Sequence, residues 1–136
     1  MKITRRTSLR TGAAAFLTAR HGLAESTPVH TGGARLDISY PSGPIDLPQR
    51  AVTEWIDRAA LAVTTYFSRF PVKSARIEIS VAEGRRGVSN GMSFGERGAL
   101  CRISVGQHAT LADLRNDWSL THEMVHFGFP SLPRRH

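Results

Sequence analysis

Apolar and polar residues alternate with a period of two in three stretches of the chain. Leu36, Ile38 and Tyr40 alternate with Asp37 and Ser39, and Ile77, Ile79 and Val81 make a second run. Cys101, Ile103 and Val105 alternate with Arg102 and Ser104 in a third. This period sends successive side chains to opposite faces, so each run predicts a half-buried strand. Between the first two runs the period changes. From Pro48 onward Val52, Trp55, Ile56, Ala59, Val63, Tyr66 and Phe67 fall three or four apart, which predicts an amphipathic helix stopped by Pro71. The aromatic residues on this stripe are read as core. A last helix is predicted over residues 111–127, opened by a capping box of Thr110 and Asp113. Its apolar stripe runs Leu111, Leu114, Trp118 and leads into His122, Val125 and His126. Residues 25–34, polar and Gly-bearing, predict a linker. Residues 83–98, with glycines at 84, 87, 91 and 95, predict a long flexible loop.

These elements predict an α+β fold: a mixed sheet of three or more strands, an amphipathic helix and a final helix, in one domain over residues 35–136. A chain of 136 residues has room for a single core. No stretch approaches the roughly 18 apolar residues of a membrane-spanning helix, so no stable membrane insertion is expected. Cys101 is the sole cysteine, which excludes an internal disulfide. Its place in an alternating run points it inward, as an inert thiol rather than a nucleophile.

The net charge of +7 would suit a nucleic-acid partner, but its distribution does not. Residues 1–26 hold five basic residues against Glu25, and Arg134 and Arg135 close the chain, leaving about one net positive charge between. A nucleic-acid binder concentrates basic charge on its folded surface, so no nucleic-acid partner is expected. The basic N-terminus has another reading. Thr4-Arg5-Arg6-Thr7-Ser8-Leu9-Arg10 resembles the twin-arginine export signal of bacteria. A short apolar stretch, Ala13 to Leu17, follows, and Gly22-Leu23-Ala24 supplies small residues for cleavage after Ala24. Residues 1–24 are therefore expected to be a signal peptide, and the mature protein to be periplasmic or secreted.

The chemistry concentrates in His122-Glu123-Met124-Val125-His126, an H-E-x-x-H sequence. Two histidines four apart on a helix project from one face and bring both imidazoles within reach of one zinc ion. Glu123, rotated by about 100° from His122, is placed to take a proton from an attacking water rather than to bind the metal. With six His and six Glu in the chain, the pattern arises by chance in about one such sequence in a hundred. The alternative, two core or capped histidines, suits a lone histidine better than this pair with its glutamate.

Trp118-Ser119-Leu120-Thr121-His122-Glu123-Met124-Val125-His126 resembles the active-site helix of the gluzincin metallopeptidases, the thermolysin- and aminopeptidase-like group. The resemblance implies Zn2+ held by His122 and His126, Glu123 as the catalytic base, and a peptide or protein substrate. It also implies that the strand before the helix, residues 99–105, borders the cleft and pairs with extended substrate. The metzincin pattern is not met, since Phe129 and Leu132 stand where it needs Gly and His. The family takes a third ligand from a glutamate on the next helix. After His126 ten residues follow, none acidic, with His136 the one remaining imidazole. The expectation is thus the N-terminal half of a metallopeptidase-like domain, truncated after its zinc helix and catalytically complete only if a segment bearing the third ligand is supplied. The alternative is an exported, degenerate peptidase-like protein that binds metal without catalysis.

Overall fold

The computed structural model describes residues 26–40, 43–95 and 98–129. Residues 1–24, expected to be a signal peptide, and His136 lie outside the described residues. The elements follow in the order β1 (Ser26–Thr31), β2 (Ala34–Ser39), α1 (Gln49–Phe67), β3 (Ser74–Ala82), β4 (Val88–Phe94), β5 (Ala99–Gly106), α2 (Leu111–Asn116) and α3 (Ser119–Val125). The five strands form one sheet in the order β1-β2-β3-β5-β4. The central three are parallel, and each outer strand runs antiparallel to its neighbour. The fold is α+β with a mixed sheet, as the periodicities predict, and larger than three strands.

Alternation decides which face is covered. Leu36, Ile38, Ile77, Ile79, Cys101, Ile103 and Val105 point to one side and meet Val52, Trp55, Ile56, Ala59 and Val63 of α1. The other side carries Arg35 paired to Asp37, Arg102 paired to Glu78, and Ser80 hydrogen-bonded to Ser104 at 2.8 Å. One face is therefore packed by helices and the other is wet. Tyr66, placed on the helix stripe, is exposed, as is Leu61. Helix α1 ends at Phe67, with Ser68 in the left-handed region, before Pro71 is reached.

Three expectations are corrected. Residues 26–31, read as part of a linker, are strand β1. Gly32 and Gly33 take φ of 53° and 80°, and that pair of positive φ values folds a two-residue hairpin back onto β2. The stretch read as a flexible loop contains β4, which forms one edge of the sheet. Ser89 opposes Ser104 and Met92 opposes Arg102, so Asn90 and Gly91 together face Ile103 alone. This is a β-bulge, with Asn90 at φ 54°.

The third correction concerns the last helix, which is two helices. Thr110 and Asp113 close the expected capping box at the start of α2. The chain then turns extended at Asp117, and α3 starts afresh at Ser119. The Asp117 carboxylate explains the break. It accepts from the backbone N–H of Ser119 at 3.0 Å and of Leu120 at 3.2 Å, and from the indole N–H of Trp55 at 3.0 Å. A short acidic side chain serves these orphan N–H groups better outside a helix than within one. The restart shifts the helical phase. Leu114, Leu120 and Met124 are buried, whereas Leu111, Trp118, His122 and His126 are exposed. The histidines therefore lie opposite the apolar stripe instead of continuing it.

Candidate metal centre and groove

Helix α3 is held at three places. Asp117 ties its start to Trp55, and Leu120 and Met124 sink fully into the core. At its end, a 3-10 turn over His126–Gly128 brings Phe127 to within 6.4 Å of Phe70 and Phe129 to within 6.3 Å of Phe67, measured between ring centroids. His126 keeps helical angles at the junction (φ −59°, ψ −23°), so its spacing from His122 is preserved.

The two imidazoles converge. Their Nε2 atoms lie 3.1 Å apart, with ring planes at 84°. Ligand nitrogens 2.0–2.1 Å from a tetrahedral zinc lie about 3.3–3.4 Å from each other. The observed separation corresponds to an angle of about 98° at such an ion, so the pair fits zinc with little adjustment. Trp118, 68% exposed, stands nearly perpendicular to the His122 ring, with centroids 5.2 Å apart. No cluster of three or more His, Cys, Asp or Glu side chains suited to a metal occurs among the described residues.

Glu123 points toward β4. Its Oε2 accepts from the Ser93 hydroxyl at 2.7 Å, and the same hydroxyl lies 2.7 Å from the Glu123 carbonyl oxygen. Beneath Glu123 lies Gly91, where an added Cβ would sit 2.9 Å from Cγ and 3.0 Å from Oε1. Behind these residues Cys101 is wholly buried. Burial pushes its thiol up to about 12, and the Glu123 carboxylate acts in the same direction. The inward, inert thiol expected from the alternation is what the fold contains.

A groove of about 800 Å³ runs between the outer edge of β4 and the end of α3. Gly91, Met92, Ser93 and Phe94 form one wall, Glu123 and His126 the other, and Val72, Phe127 and Phe129 add apolar surface. The strand bordering this groove along its length is β4. Strand β5, expected there, lies inside the sheet between β3 and β4 and reaches the groove only at Ala99. The structure brings His122 and His126 together and sets Glu123 on the groove wall, and it adds Gly91, Ser93 and Asp117, which the sequence reading did not single out. The aspartate carried a signal, as a capping residue two positions before a helix start; the pair on β4 did not, being hidden by the bulge. No family model, no curated protein and no solved structure matches this chain.

Proposed function

We propose that this protein is a zinc-dependent peptide hydrolase of gluzincin type, in which His122 and His126 hold the metal and Glu123 is the catalytic base. The observation that carries the reading is the 3.1 Å approach of the two Nε2 atoms on the same helix as Glu123. Zinc, when bound, supplies a Lewis acid that polarises the scissile carbonyl and makes water nucleophilic near neutral pH. The rest falls to the chain itself. Ser93 engages Oε2 of Glu123, which leaves Oε1 to take a proton from the attacking water and to deliver it to the departing amide nitrogen. The free edge of β4 offers unpaired backbone groups to an extended peptide laid along the groove. Met92, Phe94, Phe127 and Phe129 favour apolar side chains on that peptide. The Arg5-Arg6 signal carries the protein out of the cytoplasm, where peptides from outside become its substrates.

A second reading, metal binding without hydrolysis, draws on the two imidazoles having no third His, Cys, Asp or Glu grouped with them among the described residues. Two imidazoles hold zinc more weakly than a set of three or four ligands. One set of variants separates the readings. His122→Ala and His126→Ala should each abolish stoichiometric zinc by elemental analysis. Glu123→Gln should keep the zinc and lose hydrolysis of a quenched fluorogenic peptide. Zinc retained by the double alanine variant refutes the site, and hydrolysis indifferent to Glu123 refutes the peptidase.

A further inference from the structure

We infer that Gly91 and Ser93 of β4 form a socket that positions the Glu123 carboxylate, so that the strand receiving the substrate also sets the base. The inference rests on the role proposed for Glu123. Two contacts of different kinds meet on this one side chain. Ser93 fixes one carboxylate oxygen through a 2.7 Å hydrogen bond, and a hydroxyl donating to a carboxylate is among the stronger hydrogen bonds in proteins. Gly91 supplies the space, since any Cβ there would press on Cγ and Oε1 of Glu123. Both residues face the helices for one reason. The extra residue at Asn90 shifts the strand's alternation, so Gly91 and Ser93 point inward with Ile103 and Cys101 while Met92 and Phe94 point outward.

The socket gives the carboxylate a defined place without consuming it. Glu123 is only half-buried and sits on a groove wall. An unpartnered glutamate there would sample several rotamers, and misplacing a reacting group by about 1 Å costs roughly a hundredfold in rate. The Glu123 carbonyl oxygen lies equally close to the same hydroxyl; the hydroxyl's single proton is shared between the two oxygens, and both belong to Glu123. Ser93 and Gly91 touch neither metal nor substrate in this account; they are positioning residues.

Three variants of the full chain test this. Ser93→Ala removes the donor, and Ser93→Thr restores a hydroxyl on a residue suited to a strand. Gly91→Ala adds the intruding methyl at a position without positive φ, so the backbone accepts it. The first readout needs no metal and no activity. In metal-free protein labelled with 13C-glutamate, the Glu123 carboxyl resonance, assigned through Glu123→Gln, should move in Ser93→Ala and in Gly91→Ala and stay near its original position in Ser93→Thr. The second readout is kinetic. With zinc bound to the same stoichiometry, kcat should fall about ten- to a hundredfold in Ser93→Ala and Gly91→Ala, with KM within a factor of two and recovery in Ser93→Thr. A Glu123 resonance unmoved by both variants overturns the socket, as does a loss confined to KM. Hydrolysis that survives Glu123→Gln refutes the peptidase instead, and the carboxyl resonance then still decides the socket by itself.

Discussion

Replacing Asp117 with alanine should destabilise the protein by about 1.5–5 kcal/mol, more than most substitutions of a half-exposed polar residue. The magnitude follows from what its carboxylate accepts. Losing the two backbone bonds at the start of α3 costs about 0.5–2 kcal/mol, the range measured for helix N-caps. The third bond comes from the indole of Trp55, whose side chain is 2% exposed. Its N–H, deprived of a partner in the core, adds about 1–3 kcal/mol. Urea denaturation followed by circular dichroism reads the sum as a shift in midpoint at constant slope. A double-mutant cycle isolates the larger part. In a Trp55→Phe background no indole N–H is left to orphan, so Asp117→Ala should cost only the capping share, and the coupling between the two positions should exceed 1 kcal/mol. Asp117→Asn, which keeps a capping oxygen, should fall between wild type and alanine. Because α3 and the turn that follows it carry the two histidines, Asp117→Ala should also weaken zinc binding before the protein unfolds. A loss below about 0.5 kcal/mol, or additivity with Trp55→Phe, would show that Asp117 does not clamp α3 to α1.

Three further outcomes are expected. Zinc needs both imidazoles unprotonated, so its affinity should fall as pH is lowered, with a slope approaching two protons per ion by calorimetry; a slope near zero contradicts shared ligation by His122 and His126. Burial pushes the Cys101 thiol up to about 12 from an ordinary 9.0, so above pH 9 the unfolded state ionises first and stability falls toward pH 12, by roughly 1 kcal/mol at pH 10. Cys101→Ala should remove that part of the alkaline slope in chemical denaturation, and an identical slope in wild type and variant would refute it. Changing Arg5 and Arg6 to lysine should keep a reporter fused behind residues 1–24 in the cytoplasm; a reporter that still reaches the periplasm excludes the twin-arginine route.

The parts of the fold that were legible are those in which one physical pattern acts alone. β2, β3 and β5 lie inside the sheet with one wet face, so their alternation is undisturbed and was read from residues 36–40, 77–81 and 101–105. Helix α1 buries a single stripe, and its period showed it. The pairing of His122 with His126 is legible for the same reason, since i and i+4 fix the two side chains on one face whatever surrounds them. What was hidden is where a local device interrupts a period. The residue inserted at Asn90 inverts the alternation within β4, so residues 88–94 fit no single strand pattern. The Asp117 cap inserts a break whose only local sign is one acidic residue in an otherwise helical run, and the stripe drawn through Trp118 to the histidines crossed that break. Gly32-Gly33 read as a linker because a hairpin turn and a flexible segment share glycine. Which one forms depends on β2 being there to pair with, and that is a tertiary fact.

The bulge in β4 has a bearing on solubility as well as on the site. An edge strand left open to a guest peptide is equally open to the edge of another copy, and long, flat edges of this kind seed aggregation. Here the irregularity at Asn90–Gly91 divides the strand, leaving Met92 to Phe94 as its regular part on the groove side. At 3.3–3.4 Å per residue that is about 10 Å, enough to grip a few residues of a peptide and too little to template a growing intermolecular sheet. Deleting Asn90 would straighten the edge, and the first property to suffer would be the concentration at which the protein stays in solution.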